Sequence, residues 1–385
     1  MQILYYKDKL PDTIKKSIFL AGCSLRPDQD GVSWRKDAIK ILEDIGFDGV
    51  VFCPENKDGK FDEDHDYAET VEWEELGLKT ADVILFWVPR DVNLLPGFTT
   101  NVEFGMWCHS GKLVLGYPED AEKMRYMQHY CDKLNIATSN SLTDTLRSAL
   151  DFVGKGVERS GGERSVPLYI WNTPQFQSWH QSQIAAGNRL DSADVLYTFR
   201  PGNKKFVFLT ILHVDVYVAS EDRHKVNEFV ISRTDISSIV LWRRDEDYLN
   251  SEVVLVREFR SPAATSDGFI LENVGGSSGK DGMTAQEILL EEVKEETGFD
   301  LELDRIKFVG AKQLAGTLSS HKAHTFSYEL TDSELQYFVN QKGIVHGNIS
   351  DSEIIHIKVL TLAEVLKSDV DWTTLGQILN VISIA

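Results

Sequence analysis

Asp82-Val-Ile-Leu-Phe-Trp-Val88 carries a single charge, at its first position, and its reading decides the fold of the first part of the chain. A strand with one wet face alternates apolar and polar side chains. This one does not alternate, so both of its faces are expected to be covered. Working outward, residues 17–22 (SIFLAG), 48–53 (DGVVFC) and 112–117 (KLVLGY) repeat the pattern. Helical segments fall between them. Residues 34–45 place Ala38, Ile41, Leu42 and Ile45 on one face, and residues 71–80 and 101–110 also read as helices.

Continuous apolar strands alternating with helices predict an α/β domain with a parallel sheet, of flavodoxin-like or Rossmann-like type, over residues 1–153. Residues 154–167 (GKGVERSGGERSVP) are rich in Gly, Ser and charge and read as a linker. Beyond it, residues 206–218 and 252–256 read as strands with no helix between them. One acidic helix follows at 284–296 and another near 373–381. Residues 168–385 therefore read as an α+β domain with mixed sheets and an acidic helix.

The formal net charge is −20, and no run of Lys and Arg offers the basic face that a nucleic-acid polymer requires. A small phosphorylated ligand needs only a few local cations, so a small-molecule nucleotide substrate stays compatible. None of the four cysteines forms a C-x-x-C pair, which leaves zinc unsupported. The first residues lack a signal-peptide layout, and no apolar run approaches the ~20 residues that span a bilayer. The reading is a cytoplasmic protein with no membrane partner; a homo-oligomer is left open.

Glu292, Glu295 and Glu296 are spaced i, i+3, i+4, which gathers three carboxylates on one helical face. Like charges so placed repel, and a helix C-terminus disfavours anions. A cation among them would relieve both costs, and oxygen-only donors suit Mg²⁺ or Mn²⁺. A charge run taken alone more often faces water. The flanks add information: Thr297-Gly298-Phe299 ends the helix on a glycine, and Gly275-Gly276 precede it.

The stretch from Glu292 to Phe299 (EVKEETGF) resembles the second half of the Nudix box, G-x5-E-x7-R-E-U-x-E-E-x-G-U. Its arginine position is Glu291, its upstream glutamate falls on Met283, and its loop glycine falls on Gly276 with one extra residue. Glu287 is a candidate replacement for the missing acid. Arg257, Arg260, Glu272 and Gly276 lie in segments similar to the ADP-ribose pyrophosphatase branch, Asp351-Ser-Glu353 is similar to its acidic loop, and Asp371-Trp-Thr-Thr374 to the start of its last helix. The resemblance covers roughly residues 194–385. It implies cleavage of a diphosphate by water. The cations would sit on Glu292, Glu295 and Glu296, Glu295 or Glu353 would take the proton, and Arg257, Arg260 and Glu272 would bind substrate. Salt bridges on an exposed strand edge are an equal reading for the two arginines.

Glu103 lies in Thr99-Thr-Asn101-Val-Glu103-Phe-Gly105, near the start of a helix, where a carboxylate is also simply stabilising. Ile18-Phe-Leu-Ala-Gly22, Trp34-Arg35, Asn56, Val71-Glu-Trp-Glu74, Ala81-Asp82-Val-Ile and Asn101-Val-Glu103-Phe-Gly105 resemble the nucleoside 2-deoxyribosyltransferase-like group, over roughly residues 17–131. The resemblance makes Glu103 the nucleophile at the anomeric carbon and Glu74 a second catalytic acid, with Gly22, Asp82 and Asn101 at the substrate. Where that group often has a base-contacting aspartate, this chain has Gly97. That difference leaves hydrolysis of the N-glycosidic bond open beside base exchange.

Together these readings predict a bifunctional nucleotide-processing enzyme. One part would cut or exchange an N-glycosidic bond, and the other would cut the diphosphate of an ADP-ribose-like or related nucleotide with Mg²⁺ or Mn²⁺. Two alternatives stand beside it: a nucleotide sensor with a non-hydrolysing Nudix domain, and a Nudix hydrolase with a non-catalytic first domain.

Overall fold

The computed structural model describes residues 1–25, 31–57, 66–201, 206–277, 282–347 and 352–384. It divides into two compact units, Met1–Val230 and Ile231–Ala385.

The first unit is built on a six-stranded parallel sheet. Its strands are β1 (Gln2–Tyr5), β2 (Ser17–Gly22), β3 (Val50–Cys53), β4 (Val83–Trp87), β5 (Leu113–Gly116) and β6 (Ala137–Ser139), in the order β1-β3-β2-β4-β5-β6. All neighbouring pairs run parallel. Without β1 this is the doubly wound order 2-1-3-4-5. Chain progression reverses between β2 and β4, which opens a crevice at their carboxyl ends. The connections hold helices α1 (Trp34–Ile45), α2 (Tyr67–Thr80), α3 (Phe98–Trp107), α4 (Arg125–Leu134) and α5 (Leu142–Val153).

The strands bury both faces, as their unbroken apolar runs predict. Phe19, Phe52, Ile84 and Phe86 meet Trp73, Phe104 and Met127 on one side. Ile18, Leu20, Val51 and Leu85 meet Ala38, Leu42, Leu146 and Ala149 on the other.

The structure places the main division of the chain after Val230 rather than at residues 154–167. Within that polar segment Arg159 is fully buried, and its Nη2 donates to Asp82 Oδ2 at 2.7 Å. Arg159–Ser160 also pairs antiparallel with Thr13–Ile14. The first unit continues through helix α6 (Pro174–Ala185) and into a three-stranded sheet of β7 (Arg189–Phe199), β8 (Leu209–Val218) and β9 (Arg223–Arg233), ordered β9-β8-β7, in which β7 and β8 run antiparallel and β9 crosses the division. Composition marks the segment as polar but cannot show that its arginine is spent inside.

The same contact corrects the reading of Asp82 as a substrate ligand. Asp82 precedes β4, at the amino end of the sheet, away from the crevice. Its carboxylate accepts from Arg159, from the Ser17 N–H and hydroxyl, and from the Leu168 N–H.

The second unit holds a mixed eight-stranded sheet. Its strands are β10 (Ile236–Arg243), β11 (Glu252–Phe259), β12 (Phe269–Glu272), β13 (Val274–Gly276), β14 (Lys307–Gln313), β15 (Lys322–Glu329), β16 (Val345–His346) and β17 (Ile355–Thr361). The main path runs β14-β15-β10-β11-β17-β16, with β12 on β11 and β13 on β10. Helix α7 (Ala285–Thr297) sends Leu289 and Val293 into a core with Ile239, Val254 and Phe326, joined by Phe338 of α8 (Asp332–Asn340). Helix α9 (Trp372–Ile384) covers Val240, Trp242, Val253 and Leu255 with Ile378 and Val381. Among the described residues no helix is long and apolar enough to cross a membrane.

Removing one partner of a buried ion pair strands the other without water. Asp82→Asn or Arg159→Met is therefore expected to destabilise the first unit by about 3–5 kcal/mol, read as a lowered urea midpoint. An unchanged midpoint in both variants would contradict the role given to this pair.

Candidate functional site

Arg35 organises the crevice end of the first unit. It opens α1, one residue after the start of the helix, and is 1% exposed. Its Nε donates to the Leu20 carbonyl at 2.8 Å and its Nη2 to the Gly22 carbonyl at 3.1 Å, so it grips the carboxyl end of β2. Its Nη1 donates to Glu55 Oε1 at 2.7 Å and to Ser24 Oγ at 2.9 Å. Glu55 follows β3 and also accepts from the Ser33 hydroxyl. One guanidinium thus joins the loops after β2 and β3 to the start of α1. Glu55 carries no sequence signal beyond its place after a strand, and sequence reasoning passed over it.

Glu74 of α2 and Glu103 of α3 both lie within the field of Arg35. Both are half-buried. Burial pushes the Glu74 carboxyl up to about 7, with the Arg35 charge pulling the other way. Burial, and then the neighbouring Glu74, push Glu103 up to about 7 against the same Arg35 charge. The structure therefore brings together the two carboxyls that the sequence pairs, close enough to feel one another's charge. At neutral pH such a pair is divided between its ionised and protonated forms.

The surroundings of Glu103 differ from the sequence reading in two respects. Helix α3 begins at Phe98, not Asn101, so Glu103 sits in the second turn, beyond the free N–H groups of the helix start. Helix capping does not account for it. Asn101 is exposed, and its Oδ1 accepts from Arg90 Nη2 at 2.5 Å; it lines a hollow on another side of α3 instead of joining the glutamates. Gly22 contributes its carbonyl to Arg35.

Gly97 has φ +61°, and a Cβ there would lie 2.4 Å from Cys23 Sγ. An aspartate does not fit this position, which gives a physical reason for the departure seen in the sequence.

In the second unit, glutamates from several elements face Arg260. Arg260 Nε donates to Glu272 Oε2 at 2.8 Å, and its Nη2 lies 2.9 Å from Glu258 Oε2. The charges of Glu296 and Arg260 act on each other, and Glu292 acts on Glu296. Glu353 acts on Glu258. Burial holds the Glu296 carboxyl well above the usual carboxylate range, although the Gly275 N–H donates to it at 3.0 Å.

The glycine pair makes this approach possible. A Cβ on Gly275, whose φ is +152°, would meet the Ser237 carbonyl, and one on Gly276 would lie 2.6 Å from the Glu292 carboxyl. Glu258 is 7% exposed and joins the cluster although sequence reasoning did not select it. Alternation along β11 explains why: Glu258 shares a side with Arg260, whereas Arg257 points to the other side. There Arg257 pairs with Asp267 at 2.5 Å and lies over the Phe269 ring, which corrects its reading as a substrate ligand.

Glu295 is exposed, so the three carboxylates on one face resolve into Glu292 and Glu296 turned inward and Glu295 turned out. Glu287 is spent on a capping box with Thr284, which corrects its candidacy as a replacement acid. Asp351 and the loop residues 278–281 lie outside the described residues.

Among the described residues no three His, Cys, Asp or Glu side chains are gathered closely enough to hold a metal ion. Carboxylate oxygens are nonetheless the donor type that a hard divalent cation takes. Glu258, Glu272 and Glu296 act on Arg260, Glu292 acts on Glu296 and Glu353 on Glu258, and Arg233 adds a second positive charge beside Arg260.

Comparison with known proteins gives one family. Residues 15–121 match the model of the family described as "Nucleoside 2-deoxyribosyltransferase like", and this part of the chain is similar to that family. No curated protein matches the chain. A solved structure described as "Crystal structure of ADP compounds hydrolase" is 15% identical and covers 51% of this chain and 93% of that one, with a TM-score of 0.35.

A carboxyl whose pKa rises from 4.5 to about 7 on folding binds its proton more tightly in the folded state. Its contribution to stability is fully present below about pH 4.5 and is lost as pH rises through about 7. Glu103→Gln removes this loss. The variant should therefore gain in melting temperature relative to wild type on going from about pH 5 to about pH 8. A melting difference independent of pH would contradict the shift.

Proposed function

We propose that the first unit cleaves or exchanges an N-glycosidic bond of a nucleoside or nucleotide, with Glu103 as nucleophile and Glu74 as proton donor. The observation that carries this reading is the two half-buried carboxyls Glu74 and Glu103, both in the field of Arg35 at the β2/β4 crevice and inside the family-matched residues 15–121. The Glu103 carboxylate attacks the anomeric carbon while the C–N bond breaks. The base leaves with a proton from Glu74. Water or a second base then attacks the same carbon, the ester to Glu103 breaks, and the incoming proton passes to Glu74. Which acceptor enters decides between hydrolysis and exchange.

We further infer that the second unit hydrolyses a diphosphate of an ADP-ribose-like or related nucleotide. The three carboxyls that act on Arg260 support this reading, together with the Nudix-like stretch from Glu292 to Phe299. Glu292 and Glu296 would hold Mg²⁺ or Mn²⁺, joined by Glu295 if its side chain turns inward. Such a cation lowers the pKa of a bound water and screens phosphate charge. Glu353 or Glu295 would take the proton of the attacking water, and Arg260 would pair with phosphate through its planar fork. A nucleotide-binding unit without hydrolysis is the competing reading, which the glutamate in place of the box arginine, Glu291, favours.

Chromatography of nucleosides, nucleoside monophosphates, NAD and ADP-ribose incubated with the protein tests both parts. Base release should fall about 10²–10⁴-fold in Glu74→Gln and vanish in Glu103→Gln, with diphosphate cleavage unchanged. In wild type, kcat/KM for base release should peak near neutrality, where the pair shares one proton, and fall on either side. Chelation of divalent cations, or Glu296→Gln, should abolish diphosphate cleavage alone. Intact ADP-ribose and NAD in the presence of either metal would remove the second activity and leave the sensor reading.

A further inference from the structure

Arg90 is a buried guanidinium with no counter-charge among the described residues. It follows β4 and is 6% exposed. Its bonds go to Asn101 Oδ1 at 2.5 Å, the Lys123 carbonyl at 3.4 Å and Met127 Sδ at 3.8 Å. It also reaches the Cys23 thiol, which burial holds protonated. All of these partners are uncharged. Among the described residues no carboxylate pairs with Arg90, and its Nε has no partner. A buried charge left in this condition is costly unless an opposite charge arrives.

The same side chain lines a hollow of about 470 Å³ between α3 and α4. Lys123 and His109 line it as well, and among the described residues no Asp or Glu does. In a chain of net charge −20, this is a cationic recess in an acidic protein. Tyr126 and Tyr130 complete its wall with ring centroids 5.4 Å apart, and Tyr126 is 74% exposed. The volume falls within the range of about 300–1,000 Å³ usual for small-molecule sites. The hollow uses the row Asn101, Phe104, Gly105 and Cys108 of α3, spaced i, i+3, i+4, i+7. Glu103 lies off that row, so the hollow is separate from the Glu74/Glu103 crevice.

We propose that this hollow binds a small phosphorylated aromatic molecule of the nucleoside monophosphate class. Arg90 and Lys123 hold its phosphoryl group, and Tyr126 and Tyr130 pack against its ring. A guanidinium presents paired N–H donors that match phosphate oxygens. Exposed tyrosine rings offer the apolar faces that a planar base covers. The site would hold a nucleotide independently of glycosidic cleavage.

The test uses the full chain carrying Glu103→Gln, so that turnover does not consume the probe. Calorimetric titration with AMP, inorganic phosphate and adenosine separates the phosphoryl group from the base. AMP should bind more tightly than phosphate, and adenosine most weakly. Arg90→Met and Lys123→Met should each raise the dissociation constant for AMP and for phosphate at least about tenfold. Lys123 is exposed, so its variant folds without loss of a buried contact and keeps the test decisive if Arg90→Met is unstable. The proposal is overturned if AMP binds Lys123→Met and wild type alike, which would put the nucleotide elsewhere, or if neither AMP nor phosphate binds.

Discussion

The buried Arg35 guanidinium is the constraint on which the crevice depends. A doubly wound sheet delivers its loops to one end, but loops alone do not hold catalytic groups still. Here one side chain takes the carbonyls of Leu20 and Gly22, the Glu55 carboxylate and the Ser24 hydroxyl. Its positive charge also opposes the burial that lifts Glu74 and Glu103. Without that charge, desolvation and mutual repulsion would push both carboxyls further from the ionised state that a nucleophile needs. The residue that shapes the crevice therefore also sets its proton balance.

Legibility in the sequence follows from how local the physics is. The parallel sheet was readable because residues 17–22, 48–53 and 82–88 are apolar on both faces, a property of each strand alone. Glu74 and Glu103 were readable through resemblance, and their proximity came from the topology. Glu55, Glu258 and Arg90 were not readable: Glu55 and Arg90 act through Arg35 and Asn101 in other elements, and Glu258, two residues from Arg260, meets Glu272 and Glu353 from other parts of the chain. Asp82 shows the reverse. The family resemblance suggested a ligand, yet its lone pairs are consumed by Arg159, Ser17 and Leu168.

The acidic helix of the second unit shows how far spacing carries. An i, i+3, i+4 set spans a wide arc of a helix, and packing decides which members turn inward. Leu289 and Val293 anchor α7 on the sheet, so Glu292 and Glu296 flank the buried line and Glu295 faces water. Glycine at 275 and 276 lets the strand backbone approach closely enough for Glu296 to accept its N–H. What the spacing presented as three equivalent carboxylates is two inward groups and one outward group.

The central claim, that Glu103 forms a bond to the sugar, is tested most directly by intact-protein mass spectrometry. A nucleoside fluorinated at the sugar 2-position destabilises the oxocarbenium-like state and slows loss of the glycosyl group from the enzyme. The account predicts a mass gain of one fluorosugar, located on the peptide that contains Glu103 and absent from Glu103→Gln. Base release from an ordinary nucleoside that persists in Glu103→Gln, with no adduct on wild type, would contradict it.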